Sequence, residues 1–392
     1  MKNHRLILVC LISAISLGAN AQIAANPNRQ AISSNAEAAP VALVYIASTP
    51  KGGSANEIVA YSAATNGKLT PIAGSPFPEN VMSLAANAKY LVAVNANGFD
   101  IDSYKIESDG ALHYEASKNA AKSDDCNTLG ALFFDRSGRS LYDMETNGSG
   151  CANNTYESFN VAASNGNVET VGDSGANAWL QLPASFIGND VYAYTASCIR
   201  DMYWGIYGFK RSSNGDLRAI NINGAPPTPP NGYFYCPALT ATDGSNHVAM
   251  TMQPVNQNTF LPDRPAQLAS YTADDAGNLS TTNTAGKMPE TEAGLVNDLK
   301  MSPSGELLAV AGSSGLQVFH FNGEKAITRE TGLLTKDAIV ACFWDKSNHL
   351  YAISTASGKL FAFTVTTEKA GEAPGSPYDV SSPQDLVAEP IP

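Results

Sequence analysis

From residue 42 onward, short apolar runs alternate with polar turns that carry glycine, and the alternation repeats. Seven times an apolar or aromatic residue stands three positions before a Tyr or Phe: Ile58 with Tyr61, Ile101 with Tyr104, Tyr156 with Phe159, Ile206 with Phe209, Leu268 with Tyr271, Leu316 with Phe319, and Leu360 with Phe363. The spacing averages about 50 residues, the size of one supersecondary repeat. After each of the first five pairs comes a Gly-x-Leu or Gly-x-Val turn, at Gly67, Gly110, Gly166, Gly215 and Gly277. Upstream lie a short strand, such as Leu43 to Ala47 or Leu307 to Val310, and before it another that ends in a tight turn. Asp135 to Gly138, Asp243 to Asn246, Ser302 to Gly305 and Asp345 to Asn348 have the residue types such turns use. Each repeat reads as four antiparallel strands, and such a repeat is a propeller blade.

The ends complement each other. The first repeat starts at its second strand, Ala42 to Ala47, while Gln384 to Ala388 resembles the first strands of other repeats, such as Val81 to Ala85. Pairing the two closes a ring and removes an open sheet edge. The expectation is an all-β, single seven-bladed propeller over 41–392, closed by the C-terminal strand in the first blade. Composition agrees: charged residues are 15%, and 32 Gly with 22 Pro supply the turns.

Ahead of the ring, Lys2 and Arg5 precede an apolar run from Leu6 to Leu17 and the small-x-small sequence Ala19-Asn20-Ala21, the layout of a secretory signal peptide over 1–21. Residues 22–40, without periodicity, read as a flexible tether. No later stretch reaches the apolar length of a membrane-spanning helix, so a periplasmic or secreted location follows. Removing the leader takes the net charge from −12 to −14, which argues against nucleic acid as a partner.

Export makes disulfides available to the five remaining cysteines. In a propeller the loop into a blade and the loop between its second and third strands share one face. This placement pairs Cys126 with Cys151 and Cys198 with Cys236, the alternative being reduced thiols. Cys342, in the apolar run Ile339 to Phe343, reads as a buried free thiol.

Candidate chemistry is sparse. His113, His247, His320 and His349 are scattered over four blades, and no nucleophile elbow or phosphate-binding loop occurs. Asp125, Asn127, Gln181, Tyr235, Asn297, Asp298, Asp337 and Asp385 fall near inner-strand starts, where they would make a channel mouth rich in carboxylate and amide. Such a mouth suits a small polar ligand or glycan, or only satisfies channel water and strand ends. Segments 146–155, 196–204 and 253–267 read as long loops over this face, and Tyr203, Trp204, Tyr233, Phe234 and Phe260 offer aromatic surface to sugar rings or a protein partner, or cap the core. No cofactor is expected. A divalent cation, calcium or magnesium, is the one addition the acidic turns would accommodate, at Asp124-Asp125 first.

The repeat text carries a resemblance. Val44-Tyr-Ile-Ala-Ser48, Gly67-Lys-Leu-Thr-Pro-Ile-Ala-Gly-Ser-Pro-Phe77 and Met301-Ser-Pro-Ser-Gly-Glu-Leu-Leu-Ala-Val310 resemble the lactonase-type seven-bladed propeller family, which includes 6-phosphogluconolactonases and is related to YVTN-repeat propellers. The resemblance covers 41–390 and implies fold more than reaction. Its enzymatic members imply a His in the fourth blade's inner strand and an Arg-His pair followed by Asn-Glu in the fifth. Here those places read Trp179 to Phe186 without His, Tyr235 to Leu239, and Thr251 to Gln253. Only Asp298, before Ser302-Pro-Ser-Gly305, matches a family acid, which makes it the candidate catalytic residue. Two readings stay open: a ligand-binding or interaction propeller without the family's His and Arg, and a divergent lactonase acting on an unphosphorylated sugar or aliphatic lactone.

Overall fold

The computed structural model describes residues 39–120, 127–128, 130–144, 146–147, 155–174, 180, 182–199 and 203–391. The leader, nearly all of the tether, Asp125, Cys126, Cys151 and Gln181 lie outside these. The described residues are strands and connections with no helix among them, so no helix is long and apolar enough to cross a membrane.

Seven antiparallel sheets form the blades of a ring, six of four strands and the seventh of four with Tyr378–Asp379 added beside its third strand, and a further two-stranded ribbon pairs Asn127–Thr128 with Thr146–Asn147. The inner strands of blades 2 to 7 are Val81–Ala86, Leu132–Phe134, Ser185–Phe186, Tyr233–Thr242, Val296–Met301 and Ala341–Trp344. The inner strand of blade 1 is Pro383–Pro390, paired antiparallel with Pro40–Ser48, Val387 opposite Tyr45. The ring therefore closes through the chain's last strand. The first strand starts at Pro40, one residue inside the expected tether.

The seven aromatic pairs explain why the repeat exists. All fourteen residues lie in the third strand of their blade. Side chains three apart on a strand point to opposite faces, so each pair reaches both neighbours. Ile58 packs into the core between blades 1 and 2, and Tyr61 into that between blades 7 and 1. Leu268 and Tyr271 divide in the same way between the blade 5/6 and 4/5 cores, and Leu316 and Phe319 between the 6/7 and 5/6 cores. In every blade the first member faces the next blade and the aromatic faces the preceding one. The seven apolar clusters are thus the seven seams of the ring.

The glycine turns belong to the same seams. Gly277 has φ of +85°, and a Cβ there would stand 2.8 Å from the ring of Tyr192 in the preceding blade. A side chain at this position would be both strained and obstructed. The Tyr194 hydroxyl donates to the Gly277 carbonyl at 3.0 Å, as Tyr45 does to Gly110 and Tyr142 to Gly215, each at 2.9 Å.

Two expected loops are shorter than the sequence suggests. Strands Tyr192–Ile199 and Tyr203–Arg211 pair up to Ile199 opposite Tyr203, and His247–Asn256 runs on to pair Asn256 with Tyr233. Continued ladder pairing occupies backbone groups that a loop would leave open. Cys198 and Cys236 form a disulfide that ties this extended hairpin of blade 4 to the inner strand of blade 5. Cys342 is a buried free thiol.

Replacing Phe319, which has no exposed surface, by Ala opens a void in the blade 5/6 seam. The expected loss is about 3–5 kcal/mol of unfolding free energy, read from the urea midpoint. Ending the chain after Ser382 removes the inner strand of blade 1 and exposes the edge of Pro40–Ser48. Size-exclusion chromatography of that truncation is expected to show aggregates instead of a monomer.

Candidate functional site

An inner strand has a ladder partner on one side only, and its other edge faces the channel. Those edge N–H groups need acceptors, and at three seams a side chain from the preceding blade supplies one. Asp298 of blade 6 accepts from its neighbour Leu299 N–H at 2.9 Å through Oδ1 and from Cys342 N–H of blade 7 at 2.9 Å through Oδ2. Asp385 of blade 1 does the same, with Leu386 N–H at 2.8 Å on Oδ1 and Leu84 N–H of blade 2 at 2.8 Å on Oδ2. Ser83 of blade 2 holds the equivalent register position. Its Oγ accepts from Leu132 N–H of blade 3 at 3.2 Å and donates to Asp385 at 3.3 Å.

These clamps border a channel cavity of about 820 Å³ whose wall includes Asn297, Asp298, Lys300, Cys342, Gln384 and Asp385. Asn297 bridges the blade 6/7 seam through Nδ2 to the Ile339 carbonyl at 2.8 Å, and the Gln384 amide donates to Thr49 Oγ1 at 2.8 Å. Lys300 is the group that sequence reasoning missed. Its Nζ lies 3.4 Å from Asp298 Oδ1, with 41% of its side-chain surface open. The inner strands of the other six blades carry Val387, Ala85, Phe133, Ser185, Ala241 and Phe343 at this register, so the ammonium interrupts an uncharged ring. The available signal was strand alternation, which puts Lys300 on the same side as Asp298 two residues earlier.

The electrostatics follow from this cluster. Asp298 foremost, with Asp385 assisting, raises the Lys300 ammonium above its ordinary range, which keeps it protonated and a poor nucleophile. Burial pushes the Cys342 thiol well above its usual range, and Asp298 adds to the effect, so it is no thiolate at neutral pH. Burial also raises Asp385 to about 6, against the lowering effect of Leu84 N–H and Lys300.

Other expected positions disperse. Tyr235 is buried in the blade 4/5 seam and donates to Gln267 Oε1 at 2.5 Å, so it offers a channel ligand nothing. Asp337 lies half-buried in the connection between blades 6 and 7, its N–H bonded to Thr335 Oγ1, and is not part of the cavity wall. Asn127 lies in the ribbon beside blade 3. Asp298, Asp385 and Asn297 do meet at the cavity.

Among the described residues no three His, Cys, Asp or Glu side chains gather as a metal ion needs. Ser245, His247 and Asp243 do cluster, with Asp243 Oδ2 at 2.7 Å and Ser245 Oγ at 2.9 Å from the same ring nitrogen, Nδ1. A catalytic relay needs the two on opposite nitrogens. Here the ring packs on Gly323 of the next blade and acts as a seam latch.

No family model and no curated protein sequence matches the chain. Solved structures do. The periplasmic gluconolactonase of Pseudomonas aeruginosa superposes with a TM-score of 0.61 at 15% identity, covering 90% of this chain and 100% of that one. A candidate 6-phosphogluconolactonase of Bacteroides uniformis gives 0.63 at 13% identity, over 89% and 99% of the two chains. One from Bacteroides fragilis gives 0.60 at 13%, over 89% and 98%. The fold is that of the lactonase-type propellers. Among the described residues the charged wall of this chain's channel is built from Asp298, Lys300 and Asp385, of which Asp298 alone was expected from the resemblance.

The raised carboxyl of Asp385 predicts a pH signature. The folded state holds this proton more tightly than the unfolded chain, so the group's contribution to stability is full below the ordinary value near 3.8 and is lost as pH rises through about 6. Between pH 4.5 and 7.5, wild type is expected to lose on the order of 2 kcal/mol more than Asp385→Asn, measured by urea unfolding at both pH values. Equal losses would remove the assignment.

Proposed function

We propose that this protein is an exported propeller that binds a small polar ligand or glycan at its channel mouth, on a lactonase-type frame without that family's His and Arg groups. The observation that carries this reading is the engagement of the channel carboxylates. Asp298 and Asp385 each accept backbone N–H groups on both oxygens, which holds both carboxylates in one orientation, as recognition groups require. The cavity of about 820 Å³ lies in the range of small-molecule sites. Export is supported by the leader-like start and by the Cys198–Cys236 disulfide. A periplasmic location for the gluconolactonase of similar fold points the same way.

One observation favours a second reading, a divergent lactonase. A carboxyl raised to about 6 is suited to general-base work near neutral pH. The base would then be Asp385 in place of Asp298, activating water while Lys300 polarises the ring carbonyl.

Titration calorimetry with neutral sugars and aldonates, beside a pH-stat assay on sugar and aliphatic lactones with and without calcium, separates the two. Binding with no turnover above spontaneous hydrolysis is the expected result. Turnover that collapses in Asp385→Asn would establish the lactonase, and neither binding nor turnover would overturn both readings.

A further inference from the structure

Lys300 lines the channel cavity of about 820 Å³ and also two smaller ones, of about 240 and 190 Å³, the first of which shares Asn297 and Asp298 with it. It therefore stands at the junction of three spaces that a ligand could use. Among the described residues of the main cavity's wall, Asp298, Lys300 and Asp385 are the charged groups, two carboxylates to one ammonium. Arg136 lines only the smallest cavity, where its guanidinium donates to the Asp243 carbonyl at 3.0 Å. Near neutral pH the wall thus carries a net charge of about −1, and its cation is already matched by Asp298 at 3.4 Å.

From this wall we infer that Lys300, Asp298 and Asp385 form a selectivity centre for uncharged polyhydroxy rings, neutral sugars and their lactones, which rejects the same frame bearing a carboxylate or phosphate. The inference rests on the channel-mouth reading and adds the ligand class. Neighbouring ring hydroxyls both donate and accept, so one ring can give hydrogen bonds to a carboxylate while taking one from the ammonium. The Asn297 and Gln384 amides supply both kinds of partner at the rim. An added anion finds no unmatched cation and meets the surplus carboxylate, in a cavity where charges are less screened than in bulk water.

The test uses three probes on one pyranose frame: D-glucose, D-glucuronate and D-glucosamine, the first neutral, the second an anion and the third a cation in about half of its molecules at pH 7.5. Calorimetry at pH 7.5 and low salt would compare wild type, Asp385→Asn and Lys300→Gln, each checked for native melting. Wild type is expected to bind glucose at least tenfold more tightly than glucuronate. Asp385→Asn should shrink that ratio to below threefold, because one negative charge is gone. Lys300→Gln should widen the ratio and tighten glucosamine. Glucuronate binding as tightly as glucose in wild type, or a ratio unmoved in Asp385→Asn, overturns the selectivity centre while leaving the channel as a binding site. If none of the probes binds wild type, the channel-mouth reading itself falls.

Discussion

The structure depends on apolar contact between neighbouring blades. No blade is wide enough to bury its own faces. A third strand with an apolar residue and, three positions on, an aromatic one solves this with two side chains, since the odd spacing sends one to each neighbour. Tyr104 and Ile101, or Phe363 and Leu360, are each half of a clamp completed by the next and the previous repeat. Dispersion and burial at the seven seams hold a ring whose centre is open. The tyrosine-to-glycine hydrogen bonds fix the register of one blade on the next without covering the bore.

That open bore creates the candidate site. The inner strands show it an edge of unpaired N–H groups, and polar side chains are drawn there first as caps. Asp298, Ser83 and Asp385 are caps by geometry, whichever ligand they meet. Once placed, two of them bring full charges into a partly enclosed space. Lys300 is stabilised there by the charges that raise its affinity for a proton. On the proposed reading, structural need and recognition chemistry are met by the same carboxylates, so a change at Asp298 or Asp385 touches both.

Fold was legible in the sequence because its determinants are local: the aromatic spacing, the glycine turns at Gly67 to Gly277 and the unmatched strand at Gln384 to Ala388. The exchange of ends, though distant in sequence, left a local trace on both sides. The site was legible only in part. Asp298, Asp385 and Asn297 lie at strand starts, where position along the repeat predicts a channel location. Tyr235 was misplaced because the inner strand of blade 5 begins at Tyr233, and alternation then turns Tyr235 into a seam. Lys300 was passed over because a lysine near the end of a short strand looks like a solvent-facing charge, and its surroundings come in part from blades 7 and 1, which single-strand reading cannot join. The segments over the face contained polar and aromatic residues typical of loops, yet cross-strand pairing carried Ile199 and Asn256 into the sheet.

The partnership of Pro40–Ser48 with Pro383–Pro390 also sets an order of events for a chain made from its N-terminus. Blades 2 to 7 are each contiguous in sequence and can assemble as they emerge. Blade 1 is begun first and finished last, waiting without its inner strand until Pro383–Pro390 has been synthesised. An incomplete ring has open seams and an exposed edge, which mark it to the cell as unfinished. Closure by Pro383–Pro390 thus makes the emergence of that strand the event that locks the fold.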